Sequence, residues 1–256
     1  MKTCLIRLIA LLVVGTASHA GEKPDPLEKG GVVLTFDDRN FDDWLDAIPL
    51  FEKYQAKATF FISGVIDAKA IATALELQSH GHAIGSHSVH HLSAIDYLKN
   101  HTAAEFVKEE IEPQLTAFKA AGITPTAFAY PMSKNHPDTD RELLKLFRHL
   151  RTGMGIASDR GIVDYDAFFV PVSKIKTAGL LFGKGIDFAP FRDDRTFGKI
   201  EAALVRAAEN REIITLYAHQ IKPIGKGNFI SPGALEHILK KTAELNLSFL
   251  TVDQLP

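Results

Sequence analysis

The feature that most constrains this chain is a regular alternation of short, continuously apolar runs with longer amphipathic stretches. The apolar runs are 32–36 (VVLTF), 58–63 (ATFFIS), 82–87 (HAIGSH), 126–131 (TAFAYP), 150–155 (LRTGMG, the weakest), 168–172 (FFVPV), 212–219 (EIITLYAH) and 247–252 (LSFLTV). Between most of them, helical spacing of apolar residues predicts helices over about 41–55, 66–80, 93–121, 138–149, 196–210 and 232–245. A strand apolar on both faces needs cover on both, and helices linking parallel strands provide it. About eight such strands in roughly 230 residues predict an α/β fold, a (β/α) barrel of seven to eight strands, irregular or incomplete, in a single domain. The segment 173–195, containing GKGIDFAPFRDDR, has no period and reads as a long loop.

The first twenty residues stand apart from that pattern. Lys2 and Arg7 precede an apolar run from Leu8 to Val14, and small residues lead to Ala20. This is the pattern of a secretory signal peptide cleaved after Ala20, with an apolar run too short to span a bilayer. The expected organisation is a signal peptide at 1–20, a polar leader at 21–29 and one folded domain at 30–256. Cleavage would remove Cys4, the only cysteine, and with it any disulfide or thiol chemistry. It would also remove two of the 29 basic residues, leaving 27 against 31 acidic ones, a balance of −4. The expectation is an exported, periplasmic or secreted protein with no stable membrane insertion and no nucleic-acid partner. Its oligomeric state is not legible.

Polar clusters follow the apolar runs, where a barrel carries its chemistry. Asp37 and Asp38 close the first run, and of two adjacent carboxylates one can ligate a metal while the other accepts a proton. The competing reading is a helix N-cap, for which Asp42 and Asp43 are equally placed. Five of the 11 histidines fall at 80, 82, 87, 90 and 91. His87 and His91 are four apart and would share a face if a helical turn begins there, while His87 with His90 is the rival pair. His82 reads as structural, and His80 has no assigned role. The stretch FAYPMSKNHP and His219, at the end of LYAH, complete the rim.

In combination and order, TFDD, KATFFISG, GHAIGSHSVHH and IITLYAH resemble the polysaccharide deacetylase family, the NodB-homology type of carbohydrate esterase family 4. The resemblance implies a NodB-like distorted (β/α) barrel. It implies that Asp38, His87 and His91 ligate a divalent metal, usually zinc, with cobalt, nickel or manganese as alternatives. It further implies Asp37 as general base and His219 as general acid. Leu216 would help form the pocket for the acetyl methyl. Pro131 and Met132, after Tyr130, would occupy the place where a main-chain N–H helps hold the oxyanion. The implied activity is hydrolysis of N-acetyl or O-acetyl groups on a polysaccharide or oligosaccharide.

Three departures accompany the resemblance. Ala129 stands where the family often has an arginine that orients the base, and Arg39 is the candidate substitute. The family's Asp and Trp that tune the acid have no clear match; Asp164 or Asp166 could supply the carboxylate, and the only tryptophan is Trp44, in the first helix. The third departure is the unpatterned 173–195. Two other functions compete: hydrolysis of a small cyclic amide or ureide, and a catalytically silent glycan-binding role.

Overall fold

The computed structural model describes residues 27–157, 159–187, 194–224 and 226–256, with side chains from 197 in the third of these spans. The signal-peptide pattern, most of the leader and part of the unpatterned segment lie outside the described residues. Among the described residues eleven strands follow in chain order: β1 (Gly31–Asp38), β2 (Thr59–Ile62), β3 (Ala83–Ser86), β4 (Ala127–Ala129), β5 (His149–Gly153), β6 (Phe169–Pro171), β7 (Leu180–Gly185), β8 (Glu212–Ala218), β9 (Gln220–Ile221), β10 (Phe229–Ile230) and β11 (Ser248–Leu250).

Seven of them, in the order β1-β2-β3-β4-β5-β7-β8, form a parallel barrel that closes because β8 pairs with β1 from Gly31 to Phe36. The barrel is distorted at its N-terminal end. There β11 pairs with β1 over Gly31–Val33, and β2 takes over only from Thr35. On the other side β6 runs antiparallel to β8 over Glu212–Ile214, and β7 takes over from Thr215. Two extra strands thus fill the lower end, and the C-terminal rim belongs to the seven parallel strands alone.

Alternation along each strand builds the core. Val32, Leu34 and Phe36 face outward and pack with Trp44, Phe51 and Leu77 of the helical layer. Val33, Phe61, Ala127, Leu181 and Ile213 form a second cluster on the inward face. Gly85 leaves room for Phe61, because a Cβ there would lie 2.2 Å from its ring. No helix among the described residues is long and apolar enough to cross a membrane.

Three sequence expectations differ from this architecture. The run 168–172 forms β6, which lies outside the ring of seven. The supposed loop 173–195 contains β7, a barrel strand that was not legible because Gly183 and Gly185 interrupt its apolar pattern. Both glycines lie under the Tyr217 ring, where an added Cβ would stand 3.0 and 3.2 Å from its atoms. The single helix expected at 93–121 is broken into Ala94–Tyr97, Ala103–Phe106, a π-helical turn at Val107–Ile111 and Glu112–Ala120.

Candidate active site

At the C-terminal rim, Asp37, Asp38, His87, His91, Met132 and His219 line one cleft of about 510 Å³. Strict alternation would send Asp37 inward and Asp38 outward. Asp38, however, has φ 84, so the last residue of β1 leaves the extended conformation and both carboxylates line the cleft. Neither is a helix cap: the helix Phe41–Asp46 follows Asn40 with no side-chain cap bond, and Asn40 Nδ2 donates to the Asp37 carbonyl at 3.1 Å.

Asp38, His87 and His91 each offer one donor atom, all within 4.8 Å of one another. His87 Nε2 is 3.6 Å and His91 Nε2 3.3 Å from Asp38 Oδ1. Donors about 2.1 Å from one ion at tetrahedral angles lie about 3.4 Å apart, so this set fits a divalent metal. His87 is prepared for that role. Its Nδ1 donates to the Ala129 carbonyl at 2.8 Å, which turns Nε2 toward Asp38. Burial pushes its pKa down to about 4, against the pull of Asp37, so the ring is neutral and a competent ligand. His90, the rival on spacing, points away, with Nδ1 2.5 Å from Glu110 Oε1.

The remaining histidines of the cluster sort by burial. His82 accepts the Ala58 N–H at 3.1 Å, edge-on to Phe51 and Phe60, and burial lowers its pKa to about 4. His80 lies between Glu52 and Glu76 at the surface.

Asp37 is buried and ion-paired with Arg151 of β5, itself buried. Burial alone would raise the Asp37 pKa, but the Arg151 guanidinium, helped by His87 and His219, holds it below the usual carboxylate range. Asp37 Oδ1 is buried with no hydrogen-bond partner among the described residues, in a side chain that lines the cleft. Arg151 also sits over the Phe61 and Tyr217 rings at 5.5 and 4.8 Å. Sequence reasoning missed this residue. Its signal was an arginine in the middle of a weak apolar run.

His219 follows β8 and accepts two constraints from Asp187: its N–H donates to Oδ1 at 3.0 Å and its Nδ1 to Oδ2 at 2.7 Å. Burial lowers the imidazole pKa, but the Asp187 hydrogen bond, with the Asp37, Asp187 and Asp38 charges, outweighs burial and raises it. Nδ1 is therefore occupied and Nε2 is the nitrogen left for proton transfer. Trp44 Nε1 donates to the His219 carbonyl at 2.8 Å, which ties the acid's backbone to the first helix.

After β4 the chain turns sharply at Met132 (φ 53) and Ser133 (φ 55). The turn is braced below: Tyr130 donates to Asp140 at 2.7 Å, Asn135 donates to the same carboxylate at 3.0 Å, and Thr152 donates to the Ser133 carbonyl at 3.1 Å. Met132 is left 57% exposed at the lip of the cleft.

Comparison with known proteins bears on the family and the fold. Residues 25–148 match the sequence profile of the polysaccharide deacetylase family. Over those residues the chain is similar to the polysaccharide deacetylase family. Its members are hydrolases that act on acetyl groups. The Bacillus subtilis protein YxkH, named for the same family, is 27% identical over 164 residues, 61% of this chain and 56% of that protein. The match therefore spans a little over half the length of this relative. Among solved structures, a chitin deacetylase from the fungus Colletotrichum lindemuthianum aligns with TM-score 0.57 at 17% identity, over 89% of this chain and 88% of that one. A family 4 acetyl xylan esterase from Clostridium thermocellum, in complex with cobalt, aligns with TM-score 0.51 at 21% identity, over 87% and 88%. These likenesses place the barrel among deacetylase folds.

Against the deacetylase pattern, four residues stand elsewhere than expected. Arg39 does not reach the Asp pair; its guanidinium donates to the carbonyls of Ser63 and Val65 at 3.0 and 2.6 Å and to Asp67 at 2.7 Å. Arg151 has the place instead. Ala129 and Arg151 are register partners on β4 and β5, so the missing arginine is supplied from the next strand, one position across. Neither Asp164 nor Asp166 meets His219: Asp164 accepts the Gly161 N–H at 2.7 Å, and Asp166 pairs with Arg206 at 2.8 Å. Leu216 is buried in the outer layer with Leu34 and Phe36, not in the cleft. Tyr217, on the face of β8 opposite Leu216, lines the cleft with His219. Period-two alternation alone could have made that assignment.

Proposed function

We propose that this protein is an exported, metal-dependent deacetylase that hydrolyses acetyl groups on a polysaccharide. The observation that carries the reading is the convergence of a metal-fitting trio, a buried carboxylate with an oxygen unpartnered among the described residues and a carboxylate-backed imidazole on one cleft. Asp38, His87 and His91 would hold the ion, zinc by its donor set, with cobalt, nickel or manganese as substitutes. When bound, it supplies Lewis acidity, making water a stronger acid at neutral pH and the acetyl carbon more electrophilic.

The protein's own groups supply the rest. Asp37, kept ionised by Arg151, takes the proton of the attacking water through Oδ1. The turn at Met132 offers its main-chain N–H to the developing oxyanion, which does not depend on the side chain. His219 Nε2 gives a proton to the departing amine or alcohol, with Asp187 stabilising the imidazolium. Tyr217 walls the cleft beside them.

A polymer suits the surface better than a small cyclic amide. Met132 at the lip of the cleft also borders a hollow of about 470 Å³, and His101 borders both that hollow and another of about 640 Å³. The secretory pattern at 1–20 supports an extracytoplasmic glycan. A silent binding role has no use for a buried Asp37–Arg151 pair or an Asp187–His219 pair.

The test is acetate release from acetylated glycans by metal-stripped and zinc-reloaded protein. Release restored by zinc, and rising with oligomer length, is the expected result. No acetate from chitin, xylan or peptidoglycan substrates despite bound zinc sinks the reading.

A second expectation concerns Asp187. Its carboxylate raises the His219 pKa, so the acid form persists to higher pH. Asp187→Asn should move the alkaline limb of the kcat/KM profile to lower pH. An unmoved limb would show that His219 is not tuned by Asp187.

A further inference from the structure

The loop that carries His87 and His91 is gripped by the helical segment that follows it in the chain. Ser88 (φ 64) and His91 (φ 55) both lie in the left-handed region, which residues with side chains adopt where their surroundings impose it. Two buried side chains impose it here. Glu110, on the π-helical turn Val107–Ile111, is 1% exposed, and its oxygens meet the His90 N–H at 2.8 Å and His90 Nδ1 at 2.5 Å. Its carbonyl accepts the Val89 N–H at 3.0 Å. The π-turn falls where Pro113 has no N–H to return to the Glu109 carbonyl.

Gln114, four residues on, is equally buried. Its amide nitrogen donates to the Ser88, Gly64 and Ile62 carbonyls at 2.9, 2.7 and 3.1 Å, and its oxygen accepts from Ser86 at 2.7 Å. Ser88 Oγ in turn accepts the His91 N–H at 3.0 Å. Neither Glu110 nor Gln114 lines the cleft. A buried carboxylate is a poor anchor for stability alone, since an apolar side chain avoids its desolvation. Its partner His90 is 65% exposed, so the contact acts on the loop and not on the core.

We propose that Glu110 and Gln114 are positioning residues that set the separation of His87 and His91 and thereby the affinity for the ion. The inference rests on the reading that Asp38, His87 and His91 hold a metal. Outer partners of metal ligands commonly change affinity by about 10–100-fold when removed. They should do so here without touching substrate.

The experiment is titration of metal-free protein with zinc against a chromogenic chelator, for wild type, Glu110→Gln, Gln114→Leu and the control Glu109→Gln, whose carboxylate bonds Tyr97 instead. Glu110→Gln and Gln114→Leu should bind zinc about 10-fold or more weakly. Glu109→Gln should bind zinc as wild type does. Should the buried variants fail to fold, His90→Ala removes the exposed partner alone, and weakened zinc binding is again expected. Affinities equal to wild type in every variant that folds overturn the proposal while leaving the metal reading intact. A wild-type protein that binds no zinc overturns both.

Discussion

Arg151→Met should lower kcat/KM for acetate release by on the order of 10²-fold and move the acid limb of the pH profile to higher pH. The reason is the balance at Asp37. Burial raises its pKa, and the Arg151 guanidinium more than compensates. Without Arg151 only the burial penalty and weaker cations remain, so Asp37 holds its proton to higher pH and the base is lost there. The same variant should be less stable by about 3–5 kcal/mol, because it leaves a buried carboxylate without its partner. The sign of the linkage follows from the depressed pKa. The pair's contribution is in place above the unfolded value of about 4 and is lost as the pH falls through the folded value. Asp37→Asn added to Arg151→Met should recover part of the lost stability, since it removes the stranded charge. An Arg151→Met protein with unchanged pH profile and stability would falsify the pairing as the device that keeps the base ionised.

Asp37→Asn and the double variant His87→Ala, His91→Ala should separate turnover from metal. Asp37→Asn should bind zinc normally while losing on the order of 10³-fold in kcat, because the amide cannot take the proton. The double variant should lose both ion and turnover, since two of three donors are gone. Metal analysis with acetate release reads both outcomes. A double variant that keeps its full zinc content would remove these histidines from the ligand set, and an active Asp37→Asn protein would remove Asp37 as base.

Much of the barrel was legible because its strands are short, apolar on both faces and separated by helical periods. β1, β2, β3 and β8 sit where their apolar runs lie, with the aspartate pair, the histidine pair and His219 at or just past their ends. What failed was legible only in contact. β7 is broken by glycines whose reason is the Tyr217 ring on the neighbouring strand. The partner of His219 lies just after β7, so misreading that strand as loop also hid Asp187. Arg39, adjacent to the aspartates in sequence, is drawn away by Asp67 and two carbonyls, whereas Arg151 reaches Asp37 from more than a hundred positions on.

The sequence by itself determined which chemical groups reach the rim, because a parallel strand ends at its C-terminal face and the residue type there is written in the chain. It also carried, through TFDD with HSVHH, the family resemblance. The tertiary structure alone decided which of those groups act on each other. Register set Arg151 beside Ala129 and against Asp37, a left-handed φ turned Asp38 toward the histidines, and Glu110 drew His90 away from them. Pairing of charges depends on distances across strands and on burial, and neither is a property of any local stretch of sequence.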